Sequence, residues 1–276
     1  MEQLGEQIFY MENQTIVGSL RPNTTTYNLV LQAWSKANIL HSNKNQDKRN
    51  MLTPSLVADH CEGIRNHMEH LSHAQPNKTT YCSVLHALAK CGTRDAVLKS
   101  LQILKTVNDK LDRAVLVDGM STKDAANEFL PDSVCYNRVI DALAKSRIPD
   151  AHHKAKQTLE HMKRLGVTPD IFTYSSVLSA CAFATGSVKT KRKAFNMGME
   201  LMEELQIHPE YGVANQVTYG TMIRACENLL PEGNERDWYV SKIVHKCREE
   251  KLVNDRIMRQ VKRAASKELY KNILQQ

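Results

Sequence analysis

PDSVCYNRVIDALAK, residues 131–145, is the stretch of sequence from which the fold can be predicted. Apolar residues at Tyr136 and at three, four and seven positions after it follow one face of an α-helix. Proline followed by Asp predicts a helix start, because proline ends the preceding segment and a short polar side chain can cap free backbone amides. The stretch therefore predicts an amphipathic helix that begins just after Asp132.

The same pattern occurs five times along the chain. The segments are NTTTYNLVLQAWSK from Asn23, NKTTYCSVLHALAK from Asn77, DSVCYNRVIDALAK from Asp132, DIFTYSSVLSACAF from Asp170 and NQVTYGTMIRACEN from Asn215. We call the shared tyrosines the anchors: Tyr27, Tyr81, Tyr136, Tyr174 and Tyr219. Six residues after each anchor stands an alanine, which lets a neighbouring helix approach closely. Such self-similarity predicts a repeat architecture.

A second amphipathic helix follows each anchored helix, most clearly in AHHKAKQTLEHMKRLGVTPD, residues 151–170. The anchors are 54, 55, 38 and 45 residues apart, whereas helical-hairpin repeats have periods of roughly 34 to 47. We therefore expect insertions near 41–53, 114–130 and 206–213.

Composition agrees with a helical protein and narrows the class of partner. Of 276 residues, 42% are apolar and only 6% aromatic, with 11 Gly and 8 Pro, and no apolar run reaches the length of a membrane span. The net charge is +7, and residues 236–276 contribute 11 basic and 5 acidic residues. This balance suits a polyanionic partner.

The sequence lacks the usual signatures of catalysis and metal binding. Its seven cysteines form no Cys-x-x-Cys pair, and we interpret them as small buried residues in a reducing compartment. The histidines of 60–73 and the His152–His153 pair have no accompanying ligand motif, and we interpret them as solvated. We expect no catalytic residue, no metal, no cofactor, no small-molecule substrate and no membrane contact.

The string Pro-Asp-x-x-x-Tyr-Asn-x-x-Ile-x-Ala-x-x-Lys at 131–145 closely resembles the pentatricopeptide repeat, and Ala155 to Asp170 resembles the second half of that repeat. The resemblance extends over 21–255. It implies an all-α, right-handed α-solenoid of helix-turn-helix repeats, whose first helices line a concave groove for single-stranded RNA. Residues 1–20 resemble the second helix of a partial N-terminal repeat, and 256–276 a C-terminal capping helix.

The resemblance implies that two side chains per repeat read one base. The residues after the anchors are Asn28, Cys82, Asn137, Ser175 and Gly220, and those that open the next repeat are Asn77, Asp132, Asp170 and Asn215. A carboxylate only accepts hydrogen bonds, so Asp favours a base edge that offers an N–H, as uracil does. The resemblance implies U for Asn137 with Asp170, a pyrimidine for Asn28 with Asn77 (C preferred), and A for Ser175 with Asn215. Cys82 with Asp132 departs from the pattern, so no base is assigned to the second repeat. The RNA sequence that the resemblance implies is therefore 5′-C/U-x-U-A-3′.

The resemblance also implies stacking and phosphate contacts. Side chains two residues before the anchors would sandwich the bases: Thr25, Thr79, Val134, Phe172 and Val217. Lysines nine residues after three anchors would meet the RNA backbone: Lys36, Lys90 and Lys145. Two alternatives remain open, since apolar side chains can pack between helices and a cation is favourable at a helix C-terminus.

The expected function is sequence-selective binding of single-stranded RNA in organellar RNA processing, stability or translation, with other RNA-processing proteins as further candidate partners. By family resemblance the location is a mitochondrion or plastid, although the N-terminal residues do not read as a transit peptide. Two other functions remain open. One is a protein-binding scaffold of the tetratricopeptide kind, and the other an accessory subunit whose RNA contact is incidental.

Overall fold

The computed structural model describes residues 21–36, 53–146 and 148–275, and within these ranges the chain forms helices and no β-strand. In chain order the helices are α1 (Thr24–Lys36), α2 (Pro54–Glu69), α3 (Lys78–Cys91), α4 (Arg94–Leu116), α5 (Thr122–Phe129), α6 (Ser133–Ser146), α7 (Ala151–Arg164), α8 (Ile171–Ala182), α9 (Val188–Ile207), α10 (Gln216–Leu229), α11 (Asn234–Glu249), α12 (Asp255–Ala264) and α13 (Lys267–Gln275). A 3₁₀ turn at Pro209–Tyr211 follows α9.

The helices form two layers. Helices α1, α3, α6, α8, α10 and α12 pack side by side in that order, and we call them the first helices. Helices α2, α4, α7, α9 and α11 each pack against two consecutive first helices. The described chain is therefore an all-α solenoid in which every hairpin contacts its neighbours. Within it, no helix combines the length and apolar character that crossing a membrane requires.

The predicted helix starts are confirmed, and each has a cap. The Asn77 side chain accepts a hydrogen bond from the backbone N–H of Thr80, while the Thr80 hydroxyl accepts one from the Asn77 backbone, which makes a capping box. The same box forms at Asp170 and at Asn215. At Asp132, the carboxylate accepts from the Cys135 backbone N–H at 2.9 Å. These bonds satisfy amides that helix geometry leaves without partners.

The repeated residues form the core between the layers. All five anchor tyrosines are buried, and burial raises the pKa of Tyr81, Tyr136, Tyr174 and Tyr219. The alanines six residues after the last four anchors are buried as well: Ala87, Ala142, Ala180 and Ala225. Because a methyl group occupies little volume, neighbouring first helices can approach closely at these points.

The structure shows what two of the expected insertions and the expected C-terminal cap contain. Part of 114–130 is helical, since α4 extends to Leu116 and α5 follows. In 206–213, a 3₁₀ turn places Tyr211 in a stack with Tyr174, with ring centroids 5.7 Å apart. The expected single helix of 256–276 is instead the pair α12 and α13. The partial repeat at 1–20 and nearly all of the insertion at 41–53 lie outside the described residues.

Candidate functional site

The side chains two residues before each anchor are exposed. Thr25, Thr79, Val134, Phe172 and Val217 all face solvent, and the apolar ones expose 54% (Val134), 72% (Phe172) and 51% (Val217) of their surface. These three are therefore not packed between helices, in contrast to one alternative that the sequence leaves open. Because they occupy equivalent positions on first helices that lie side by side, they form one row across the solenoid.

The first predicted base-reading pair forms a hydrogen-bonded network. The Asn28 side-chain Nδ2 donates to Asn77 Oδ1 at 3.0 Å, and the Thr80 hydroxyl donates to Asn28 Oδ1 at 2.6 Å. Asn28 is only 7% exposed, so Asn77, which is half-buried, offers more surface to a ligand. The network joins the side chain after one anchor to the two residues that cap the next repeat.

The third pair repeats this geometry. The Asn137 Nδ2 donates to both carboxylate oxygens of Asp170, at 3.1 and 3.2 Å, and the Thr173 hydroxyl donates to Asn137 Oδ1. Asn137 and Asp170 are both half-buried. Thr80 and Thr173, each one residue before its anchor, therefore serve both as capping partners within their own repeats and as donors to the preceding ones. The Thr218 hydroxyl instead donates to the Asn215 carbonyl of its own repeat.

The second pair has sulfur at two of the same three positions. Cys82 stands where the flanking networks have Asn, and Cys135 stands where they have Thr. The two Sγ atoms and a carboxylate oxygen of Asp132 lie within 4.8 Å of one another. Hydrogen bonds from Cys135 and from the Asp132 backbone lower the pKa of Cys82, whereas the bond to Cys82 and burial raise that of Cys135. The sequence predicted no metal ligands, yet this is a set of metal-ligating groups.

The fourth and fifth repeats differ from this arrangement. Asn215 uses its Oδ1 to accept from the backbone amides of Val217 and Thr218, and Ser175 beside it is half-buried. Gly220, which we expected to face a base, is buried instead. The Gln260 carboxamide covers it, and a Cβ at 220 would collide with that group. Oriented to satisfy both neighbours, Gln260 donates to the Gly220 carbonyl at 3.1 Å and accepts from Arg224 at 3.0 Å.

Cations cluster at the N-terminal end of the row. Lys36, Lys90 and Lys145 are all exposed, as expected for phosphate contacts. Lys145 pairs with Asp141 on its own helix at 2.5 Å, an exposed ion pair that contributes little to stability. Lys36, Lys90 and Arg138 surround His86, and burial together with these three cations lowers its pKa. Three consecutive first helices thus bring positive charge to one place.

A sixth first helix, α12, was not predicted from the sequence. Asn254 caps it by accepting from the Ile257 backbone N–H at 2.9 Å, as the capping residues of the earlier repeats do. Met258 replaces the anchor tyrosine, and Ala264 follows six residues later, fully buried. The retained Asn and Ala could have identified the repeat, but the missing anchor concealed it.

The outward positions of α12 are basic. Relative to Met258, Arg256, Arg259 and Arg263 correspond to the positions two before, one after and five after an anchor, and all three are exposed. We define the stripe as the residues at these three positions, and nine after the anchor, in the repeats of all six first helices. Part of the C-terminal positive charge seen in the sequence, at Arg256, Arg259 and Arg263, thus lies at one end of the stripe.

Part of the chain matches a known repeat family. The PPR repeat family matches residues 131–182, which span the third anchored helix, its partner helix and the fourth anchored helix. No curated protein matches the chain.

Two solved structures resemble the chain along most of its length. The pentatricopeptide repeat protein PPR10 from maize is 17% identical, with a TM-score of 0.40 over 93% of this chain and 40% of that one. PPR10 in complex with an 18-nt psaJ RNA element is 19% identical, with a TM-score of 0.25 over 99% of this chain and 41% of that one. The chain thus spans about 40% of the length of PPR10, and neither similarity is close enough to bear on its function.

Proposed function

Because the chain is a pentatricopeptide repeat protein, with the family match at residues 131–182, we propose that it binds single-stranded RNA along the stripe. The observation that carries this proposal is the pairing of Asn28 with Asn77 and of Asn137 with Asp170 across successive repeats. Each pair presents hydrogen-bonding groups at a regular interval, which suits the edges of unpaired bases.

The exposed row supports contact with bases in a second way. Phe172 is the largest apolar side chain in it and exposes 72% of its surface. A base stacked on an aromatic ring contributes roughly 1–3 kcal/mol whatever its identity. The row thus supplies affinity, while the pairs supply selectivity for 5′-C/U-x-U-A-3′ with the N-terminal repeat at the 5′ side.

The distribution of charge supports contact with the RNA backbone. Lys36, Lys90 and Arg138 gather near the N-terminal end of the stripe, and Arg256, Arg259 and Arg263 lie at its other end. Positive charge at both ends would hold a strand across the repeats between them. Neutralisation of phosphates releases counterions, so binding would weaken as salt rises.

We place this binding in organellar RNA metabolism, in a mitochondrion or plastid, where a bound protein can block nucleases or keep a transcript region open. In this proposal the protein acts by occupying the RNA and not by catalysing a reaction. A peptide-binding scaffold fits less well, because the residues after the first four anchors are the polar Asn28, Cys82, Asn137 and Ser175.

The test compares three RNAs of equal length by fluorescence anisotropy: a single strand carrying 5′-CAUA-3′, a scrambled single strand and the first strand as a duplex. We expect the first to bind most tightly and the duplex least, because an A-form helix hides its base edges. The affinity for the single strand should fall with salt, with a slope of about 0.7 per phosphate neutralised. Equal affinity for all three would remove the proposal.

The rival functions need a separate experiment. Protein partners captured with the full chain should be released by RNase treatment if RNA forms the bridge. Partners that persist after RNase would favour the accessory-subunit or scaffold function instead. Crosslinking followed by sequencing of the bound RNA would identify the transcript and the organelle.

A further inference from the structure

The three-position network between successive repeats has different chemistry at its second occurrence. Where the flanking networks are Asn28, Asn77 and Thr80, and Asn137, Asp170 and Thr173, this one is Cys82, Asp132 and Cys135. Residues 53 positions apart are thus brought together by the packing of α3 against α6. We infer that Cys82, Cys135 and Asp132 form a binding site for a thiophilic divalent cation, Zn²⁺.

The geometry fits this ion. Zn²⁺ takes four ligands in a tetrahedron, with Zn–S distances of about 2.3 Å, which puts two coordinating sulfurs about 3.8 Å apart. The three ligand atoms here lie within 4.8 Å of one another, so small side-chain movements would bring them to those distances. Two thiolates with one carboxylate select a thiophilic ion over Mg²⁺ or Ca²⁺, which prefer oxygen.

The surroundings hold the ligands in place. Asp132 caps α6 through its Oδ1, which accepts from the Cys135 backbone N–H at 2.9 Å, and this bond leaves Oδ2 to coordinate a metal. Cys82 is half-buried, Cys135 is buried and Asp132 is exposed. The site therefore opens to solvent on the side of Asp132, through which an ion can enter.

Binding of the ion releases protons from its ligands. The thiols of Cys82 and Cys135 each lose a proton to solvent as their sulfurs bind the ion. Three protein ligands leave the fourth position of the tetrahedron for water or for an external donor.

A consequence for the stripe follows, and this part rests on the proposed function. Cys82 and Asp132 are the pair that would read a base in the second repeat. An ion held there would replace the weak thiol donor with a Lewis acid whose free position can take a base nitrogen or oxygen. The second repeat would then select bases by coordination rather than by hydrogen bonding.

The test uses the reduced full chain without RNA, so its result is independent of the RNA-binding proposal. Titration with Co²⁺ as a spectroscopic substitute for Zn²⁺ should give sulfur-to-metal charge-transfer absorption and intense tetrahedral d–d bands, saturating at one ion per chain. Zn²⁺ added afterwards should remove both signals. Absence of the charge-transfer absorption in the unaltered chain would overturn the inference.

The variant Cys82→Asn with Cys135→Thr gives this interface the residues of its neighbours, so folding should be retained and the Co²⁺ signals lost. Asp132→Asn keeps a helix cap and should weaken binding at least tenfold. Cys91→Ser is the matched control, because Cys91 is a half-buried cysteine outside the cluster, and it should bind like the unaltered chain. Signals that persist in the double variant would show that the ion binds elsewhere.

Discussion

Asn137 donates from its Nδ2 to both carboxylate oxygens of Asp170, although Asn137 lies on α6 and Asp170 caps α8, the first helix of the next repeat. Asp170 Oδ1 also accepts from the Thr173 backbone N–H at 2.8 Å. Both side chains are therefore fixed by the protein before a ligand arrives, which lowers the entropy lost when a base is bound. The pair is the best place to change the base preference of one repeat.

We predict that Asn137→Ser combined with Asp170→Asn changes the preference of this repeat from U to A. The variant reproduces the Ser175 and Asn215 pair of the next repeat. Asn accepts and donates, whereas the carboxylate it replaces only accepts. The discrimination should change by about 1–2 kcal/mol, which is about 5- to 30-fold in relative affinity. Anisotropy with four RNAs that differ at this nucleotide alone would measure it.

The double substitution should leave the other positions of the RNA unaffected. Asn is as good a helix cap as Asp, so the thermal stability of the variant should stay close to that of the unaltered chain and can serve as its control. A preference that moves at neighbouring nucleotides as well would contradict reading by separate repeats.

His86 predicts a pH dependence of RNA binding. Burial and the cations Arg138, Lys90 and Lys36 lower its pKa below the ordinary value of 6.5, so the histidine of the free protein is neutral at pH 7. A bound phosphate would raise this pKa, so binding would take up a proton. Affinity should therefore increase as the pH falls through the raised pKa of His86 in the complex, and level off below the lowered pKa of the free protein. The increase is at most about tenfold per pH unit, the limit for one proton.

The variant His86→Gln should lose this component of the pH profile. His153, exposed on the second helix α7, gives the matched control, and His153→Gln should keep it. If His86→Gln and the unaltered chain show the same profile, the phosphate does not lie near His86.

Arg256, Arg259 and Arg263 predict that α12 contributes to RNA affinity. Replacing all three with Ala should weaken binding and reduce the salt slope by up to about 2, since each phosphate contact on a single strand contributes about 0.7. Anisotropy at several salt concentrations gives the slope. Lys189, Lys191 and Lys193 on α9 provide a control with the same change in charge but on a second helix. Equal effects of the two triple variants would mean that only net charge matters.

The sequence was sufficient to predict the helix starts, because capping depends on neighbouring residues, and the cap at Asp170 is an example. For Phe172 the family resemblance implied a contact with bases, while packing between helices stayed open, and the structure shows the side chain exposed. Contacts between repeats were harder to predict. Cys82 and Cys135 look like isolated buried cysteines until the repeats are superposed, and the cluster then follows from the network of Asn28 and Thr80.

The burial of Gly220 shows a second limit of prediction from sequence. Its cover, Gln260, belongs to a repeat whose anchor is Met258 rather than tyrosine. Because that repeat was interpreted as a capping helix, Gln260 was not expected to lie over the fifth reading position. A repeat that lacks the anchor tyrosine is hard to recognise in the sequence, and its contacts with the preceding repeat are then hard to predict as well.

Gly220 and Gln260 predict a coupled effect on stability. Glycine in a helix interior is destabilising by roughly 0.5–1 kcal/mol relative to Ala, so Gly220→Ala should stabilise the chain when Gln260 is also replaced by Ala. With Gln260 present, the new Cβ must displace the carboxamide from Arg224 and from the Gly220 carbonyl. Two hydrogen bonds of about 1 kcal/mol each would then be lost, and the gain should vanish or reverse. Urea unfolding of the four proteins in this cycle measures the coupling, and additivity within about 0.5 kcal/mol would show that Gln260 does not cover Gly220 in solution.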